Sequence, residues 1–245
     1  MPRIVIGIAY YNTSQPLAVA VDSALKQKVL GYNIVVLVLD SSVNGTASSL
    51  LRNKLQVNRL HIVRGRAKSA YAARNRLINY AESKWGDLSW HVRLDPDDCF
   101  TSIDSLAKIF SSISRDHLVV LGGNRQISSN GKIIGYNIPS SKLLNKSYLL
   151  GRLSRMAKGD FNSELPSCNL ILKAGYRWKY PAKKSAEDHW MLVYILLKIK
   201  SKLIYISKKY LVDYKIGGSL TSLNLSNGKY IKERLKLLEE AAALC

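Results

Sequence analysis

Cysteine is scarce in this chain. Cys99, Cys168 and Cys245 lie far apart, and no two of them have the spacing of a metal site or a redox pair. A soluble protein of a reducing compartment is therefore expected, with a cytoplasmic location. Long apolar runs are missing too: nothing approaches the roughly 18 uninterrupted apolar residues of a membrane-crossing helix. The nearest stretch, residues 190–206, is broken by Lys198, Lys200 and Lys202. The opening MPRIVIGIAYYNTSQP has neither a basic leader nor a small-residue cleavage site after its short apolar run, so it does not read as a secretion signal. Acidic residues are the minority, 17 against 37 Lys and Arg, which leaves a formal net charge of +20. Such an excess attracts nucleic acid, an anionic membrane face or phosphorylated substrates. RNA-module signatures are absent, and charge alone does not choose among these partners.

What is present is a core. Hydrophobic residues make up 47% of 245 residues, enough for one large domain, and neither a repeat nor a linker divides the chain. Residues 4–9 read as a buried strand closed by a turn at 11–14, with Ser14 as cap of a helix carrying Leu17, Val21 and Leu25. Residues 34–39 make a second strand, 46–56 a short helix and 60–63 a third strand. The spacing of Ala70, Ala73, Leu77 and Ala81 predicts a helix over 69–84. A fourth strand, 90–94, precedes a helix capped by Ser102 with Ile103, Leu106, Phe110 and Ile113 inside.

This alternation implies an α/β fold with a mainly parallel central sheet and helices on both faces. Ligands of such folds gather beyond the carboxyl ends of the strands. Three polar clusters fall there: Tyr11-Asn12, Asp40-Ser41 and the run Asp95-Pro96-Asp97-Asp98 in "RLDPDDCF". That shared placement argues that the acidic run is part of a site and not merely a turn.

After residue 117 the pattern changes. Residues 118–121 are a strand, and Asn130-Gly131 marks a hairpin between 125–128 and 132–136. Residues 139–165 have weak periodicity and read as a long loop with one helix at most, the kind of segment that often serves as a binding loop. Residues 168–172 return to strand. A helix starts near Glu187, two short strands follow at 203–206 and 211–214, and an amphipathic helix over 229–244 ends the chain.

Two carboxylate groups carry the candidate chemistry. Oxygen-only ligands such as Asp97 and Asp98 suit Mg²⁺ or Mn²⁺, which keep positions open for phosphates; Asp95 to Asp98 equally suit an Asx-turn with no metal. Glu187-Asp188 open a helix in "KKSAEDHWML", where acids favour the helix dipole and Ser185 offers a cap. The alternative makes one of them a general base.

Taken in order, the Tyr-Asn strand end, the Asp-Ser strand end, "AARN", "LDPDD" and "AEDHW" resemble the family 2 glycosyltransferases of GT-A fold, over residues 4 to about 221. The resemblance implies a single GT-A domain over 1–245, with a nucleotide-binding part (1–116), an acceptor-binding part (117–228) and a C-terminal helix (229–245). It implies a nucleotide-sugar donor, commonly linked to uridine diphosphate, and Mn²⁺ or Mg²⁺ as cofactor. By position Tyr11 would stack near the base, Asp40 would accept a hydrogen bond from it, and Arg74 would reach the nucleotide. Asp97 and Asp98 match the ribose and metal carboxylates, and Asp95 the variable first acid. Asp188 matches the catalytic base, and Glu187 its neighbour. Lys215 stands where relatives often carry Arg or His near the diphosphate.

The implied reaction is a single displacement with inversion, Asp188 taking the proton of the acceptor hydroxyl. Arg152, Arg155 and Lys158 of the 139–165 loop would face the acceptor, a saccharide or a lipid-linked, phosphorylated one at the inner face of an anionic membrane. Nucleic acid is not expected as a partner. The rivals are a basic nucleic-acid binder, a haloacid-dehalogenase-like phosphatase and a sugar nucleotidyltransferase. The second wants its aspartates on an early strand, and the third wants a glycine-rich first loop where this chain has Ala9-Tyr10-Tyr11-Asn12.

Overall fold

The computed structural model describes residues 1–11, 16–160, 163–167, 169–183, 185–216 and 228–245. Asn12, the predicted cap Ser14, the strand start Cys168 and residues 217–227 lie outside the described residues. The first half follows the alternation read from the sequence: β1 (Arg3–Tyr10), α1 (Leu17–Leu25), β2 (Asn33–Asp40), α2 (Thr46–Leu50), β3 (Leu60–Arg64), α3 (Ala70–Lys84) and β4 (Leu88–Arg93). Ser69 caps α3, its hydroxyl accepting from the Ala72 amide at 3.3 Å. After a two-residue strand β5 (Cys99–Phe100) come α4 (Ser105–Phe110), β6 (Val119–Ile127), β7 (Ile133–Asn137) and α5 (Lys146–Ala157). The chain ends with β8 (Leu170–Lys173), α6 (Glu187–Lys198), β9 (Ile204–Lys215) and α7 (Lys229–Ala243).

The nine strands form one sheet in the order β3-β2-β1-β4-β8-β6-β9-β5, with β7 beside β6. The first four strands are parallel and β6 pairs in parallel with β9, whereas β8 runs against both β4 and β6, β7 against β6 and β5 against β9. The mainly parallel sheet expected above is thus corrected to a mixed one. A strand buried on both faces is an apolar run whichever way its neighbour points, so direction leaves no trace in its composition. Helices do cover both faces. Ile4, Ile6 and Ile8 pack with α1 and α4, whereas Val5, Leu37 and Leu39 pack under Ala73, Leu77 and Ala81 of α3. α5, α6 and α7 share the core around Trp190, Leu192 and Met156.

Four local expectations are also corrected. Residues 203–206 and 211–214 belong to one twelve-residue strand, β9, which shifts register against β6 around Gly122 and Gly123. A Cβ on Gly122 would lie 2.9 Å from that of Leu211, so glycine lets the strands close at the bulge. Within 139–165 the one helix that the sequence allowed is α5, and it is the expected role of Arg152 that is corrected there. α5 buries Leu149, Leu153 and Met156, and Arg152 lies on the same buried face, which blurred the apolar stripe. The Arg152 guanidinium donates to the carbonyls of Ser163 (2.8 Å) and Glu164 (2.7 Å) and so is a brace, not an acceptor contact. α4 starts at Ser105 and leaves Ile103 exposed, because Ser102, Asp104 and Ser105 bond to one another ahead of it. α6 is preceded by Ala186 in a left-handed conformation (φ 54°) with no side-chain cap, so Ser185 does not cap it.

Candidate functional site

Three parallel strands bring their carboxyl ends side by side. Tyr10 of β1 pairs with Asp40 of β2, and Gly7 pairs with Arg93 at the end of β4. The acidic run then turns back on itself, the Asp98 amide donating to the Asp95 carbonyl at 3.1 Å. Sequence distance therefore collapses here: Tyr11, Asp40 and residues 95–98 share one edge of the sheet.

Arg93 is the hub, a role that sequence reading missed although the residue opens the acidic motif. Its guanidinium grips Asp95 with two bonds, Nε to Oδ1 at 2.9 Å and Nη2 to Oδ2 at 2.5 Å. Its Nη1 reaches Asp188 Oδ2 at 3.4 Å and the Ser167 carbonyl at 3.3 Å. One side chain thus holds the acidic turn and the start of α6 together. Arg74 works alongside: it pairs with Asp95 (3.4 Å) and with Glu187, and lies over the Tyr180 ring. Arg74 thereby ties α3 to the acidic turn and to α6. Its neighbour Asn75 clamps both backbone groups of Tyr180, at 2.7 and 2.9 Å.

Asp188 is the most elaborately held carboxylate. Ser167 Oγ donates to its Oδ2 at 2.9 Å, while the His189 amide and Nδ1 approach Oδ1 at 3.0 and 3.2 Å. Burial by itself would raise its pKa, but His189, Arg93 and Arg74 hold it well below the usual carboxylate range. His189 Nε2 meets Glu164 Oε2 at 2.5 Å, and Glu164 is gripped in turn by Arg234 of α7 at 3.2 and 3.3 Å. Burial opposes the imidazolium, yet the two flanking carboxylates push His189 up to about 9. His189 was legible beside Asp188 in "AEDHW"; Glu164 and Arg234 sit far off in the chain and gave no sign.

Asp97 and Asp98 differ from Asp95. Burial first, then the charge of Asp95, raises both, and Asp98 is pushed well above the ordinary range with Asp97 adding to the effect. Neither has an ion-pair partner among the described residues; Asp98 Oδ1 accepts only the Lys215 amide, at 3.1 Å. The Lys215 side chain itself is exposed. Among the described residues no group of three or more His, Cys, Asp or Glu forms a ready metal cage. Two crowded, cation-poor carboxylates nevertheless fit a hard divalent ion that takes its remaining ligands from water and a diphosphate.

The residues expected to meet a nucleotide are less directly placed. Tyr11 is exposed. The Asp40 carboxylate is buried and already accepts from Ser42 N (3.0 Å), Ser42 Oγ (2.5 Å) and Ala47 N (2.9 Å), which build the turn into α2. Beside it opens a cleft of about 290 Å³ lined by Asp40, Ser42, Val43, Arg64 and Arg66. The two arginines were not singled out from the sequence.

The model of the family described as Glycosyl transferase family 2 matches residues 5–173. The crystal structure of S. aureus TarS 1–349 superposes with a TM-score of 0.62 at 19% identity, covering 98% of this chain and 65% of that one. The same fragment in complex with UDP-GlcNAc gives a TM-score of 0.59 at 20% identity, over 91% and 61%. The chain therefore spans less than two thirds of the length of those structures. No curated protein sequence matches it.

Proposed function

The chain belongs to glycosyl transferase family 2, and from that premise we propose that it moves a sugar from a nucleoside-diphosphate donor to an acceptor hydroxyl, with inversion at the anomeric carbon. The observation that carries this reading is the Arg93 hub, through which Asp188 and the acidic turn meet although 90 residues separate them. Uridine diphosphate is the donor group we favour, since the TarS fragment was solved with UDP and with UDP-GlcNAc. In this reading Tyr11 stacks on the base, the cleft with Arg64 and Arg66 takes its polar edge, and Lys215 faces the diphosphate. Asp97 and Asp98 hold Mn²⁺ or Mg²⁺, with Asp95 kept in place by Arg93. The ion, when bound, supplies Lewis-acid stabilisation to the departing diphosphate.

Asp188 takes the proton of the acceptor hydroxyl as that oxygen attacks. Its partners lower its basicity but keep it ionised and fix its direction, and a base must first be deprotonated and in reach. Glu187, paired with Arg74, positions the start of α6. The acceptor is a saccharide, either lipid-linked or phosphorylated, in keeping with the +20 charge and a cytoplasmic location.

The test is release of nucleoside diphosphate from a panel of sugar nucleotides with Mn²⁺, scored first as slow hydrolysis without acceptor. Asp188→Asn should keep donor binding while turnover falls by roughly 10²–10⁴; Glu187→Gln should do less. Arg93 and His189 lean on the carboxylate, so the Asn variant should also melt somewhat lower. A fully active Asp188→Asn protein would sink the assignment of the base.

A further inference from the structure

β7 is an edge strand with an unusual surface. Four of the six residues 133–138 are large and apolar, and all are open to solvent: Ile133 is 46% exposed, Ile134 57%, Tyr136 57% and Ile138 40%. The pleat puts Ile134 and Tyr136 on one side of the strand, and Ile138 follows its end. Tyr210 of β9 extends the stripe, its ring centroid 5.1 Å from that of Tyr136. β7 pairs with β6 alone among the described strands. Edges are normally blunted by charge or proline, so an apolar edge marks a surface meant to be covered.

Lysines frame the stripe. Lys132 precedes it in the hairpin turn, and Lys208 and Lys209 stand exposed on the bulged part of β9. That bulge is adjacent to the stripe: the Lys209 carbonyl, the Asn137 carbonyl and the Ile138 Cα all lie within 3.4 Å of where a Gly123 Cβ would be. From there β9 runs on to Lys215, whose amide binds Asp98, so stripe and acidic turn are about 20 Å apart along one strand.

We propose that this face seats the protein on an anionic lipid surface. Apolar side chains with a tyrosine between them suit the boundary between headgroups and acyl chains, and the surrounding ammonium groups suit anionic headgroups. A second copy of the chain fits less well, because a two-fold contact through this face would set each lysine frame against its own image. Among the described residues no helix is long and apolar enough to cross a membrane, and the seating is shallow, which leaves the unpaired backbone groups of β7 in the hydrated headgroup layer. The proposal rests on the transferase reading only for its purpose, presentation of the site to a lipid-carried acceptor.

The experiment is co-sedimentation of the full chain with phosphatidylcholine vesicles, with and without phosphatidylglycerol, at low and high salt. Binding should require the anionic lipid and fade with salt. The double variant Ile134→Ser/Tyr136→Ser should lose about tenfold or more in partitioning. Lys208→Gln/Lys209→Gln should lose about fivefold per lysine at low salt. The lysine pair lies on the surface, so it keeps the test intact if the first variant folds poorly. Failure to bind anionic vesicles overturns the proposal. So does vesicle binding that both variants leave unchanged, which would assign adhesion to the basic surface at large. Self-association of the unaltered chain that Ile134→Ser/Tyr136→Ser dissolves, without vesicle binding, overturns it in favour of a second copy. Donor hydrolysis measured on the same preparations without vesicles keeps failure here distinct from failure of the transferase reading.

Discussion

Replacing His189 should remove a pH dependence of stability that the wild-type chain carries above neutrality. The imidazole lies between Asp188 on its Nδ1 side, with Ser167 Oγ 3.2 Å from the same nitrogen, and Glu164 on its Nε2 side, itself paired with Arg234. Its pKa climbs from the ordinary 6.5 to about 9 on folding. The folded value is the higher one, so the stabilisation is complete below 6.5 and is lost as pH rises through about 9. At about 1.4 kcal/mol per pH unit, a rise of about 2.5 corresponds to about 3 kcal/mol. For a chain of this size that is a fall in Tm of roughly 6–12 °C across the window. Glutamine cannot carry the charge, so His189→Gln should melt lower than wild type at pH 6.5 and converge with it near pH 10. Thermal unfolding of both proteins from pH 6 to 10 measures the difference. Parallel curves would refute the protonated bridge, and with it the account of how Asp188 is held.

Asp98→Asn keeps an acceptor for the Lys215 amide and relieves the crowding with Asp95 and Asp97. The protein alone should therefore melt no lower, while calorimetry should find its Mn²⁺-dependent affinity for nucleoside diphosphate much reduced. Arg152→Ala strips two carbonyls of their donor inside the α5–α7 core and should cost about 2–4 kcal/mol in denaturant unfolding. If Arg152 instead served the acceptor, stability would hold and transfer would fall. Ala186→Gly should relieve the left-handed strain ahead of α6, raising stability by about 1 kcal/mol. A lower Tm would mean that the methyl group contributes more than the strain costs.

The sequence by itself determined the elements of the first half and the edge on which the site lies. Buried strands such as residues 4–9 and 34–39 carry a local apolar pattern, and Asp40 and Asp95 to Asp98 stand where those patterns stop. It also put Glu187 and Asp188 in the first turn of a helix. Strand direction was beyond it, because Leu170–Leu172 is apolar in either orientation, and so were the bounds of α5, whose buried Arg152 blurs the apolar stripe. Only the tertiary structure decided who partners whom. Folding alone set Arg74 between Asp95 and Glu187 and closed the turn into α2 on the Asp40 carboxylate. Glu164, His189 and Arg234 meet across 70 residues through ion pairs, and such a pair is a fact about three-dimensional distance on which local propensity has no hold.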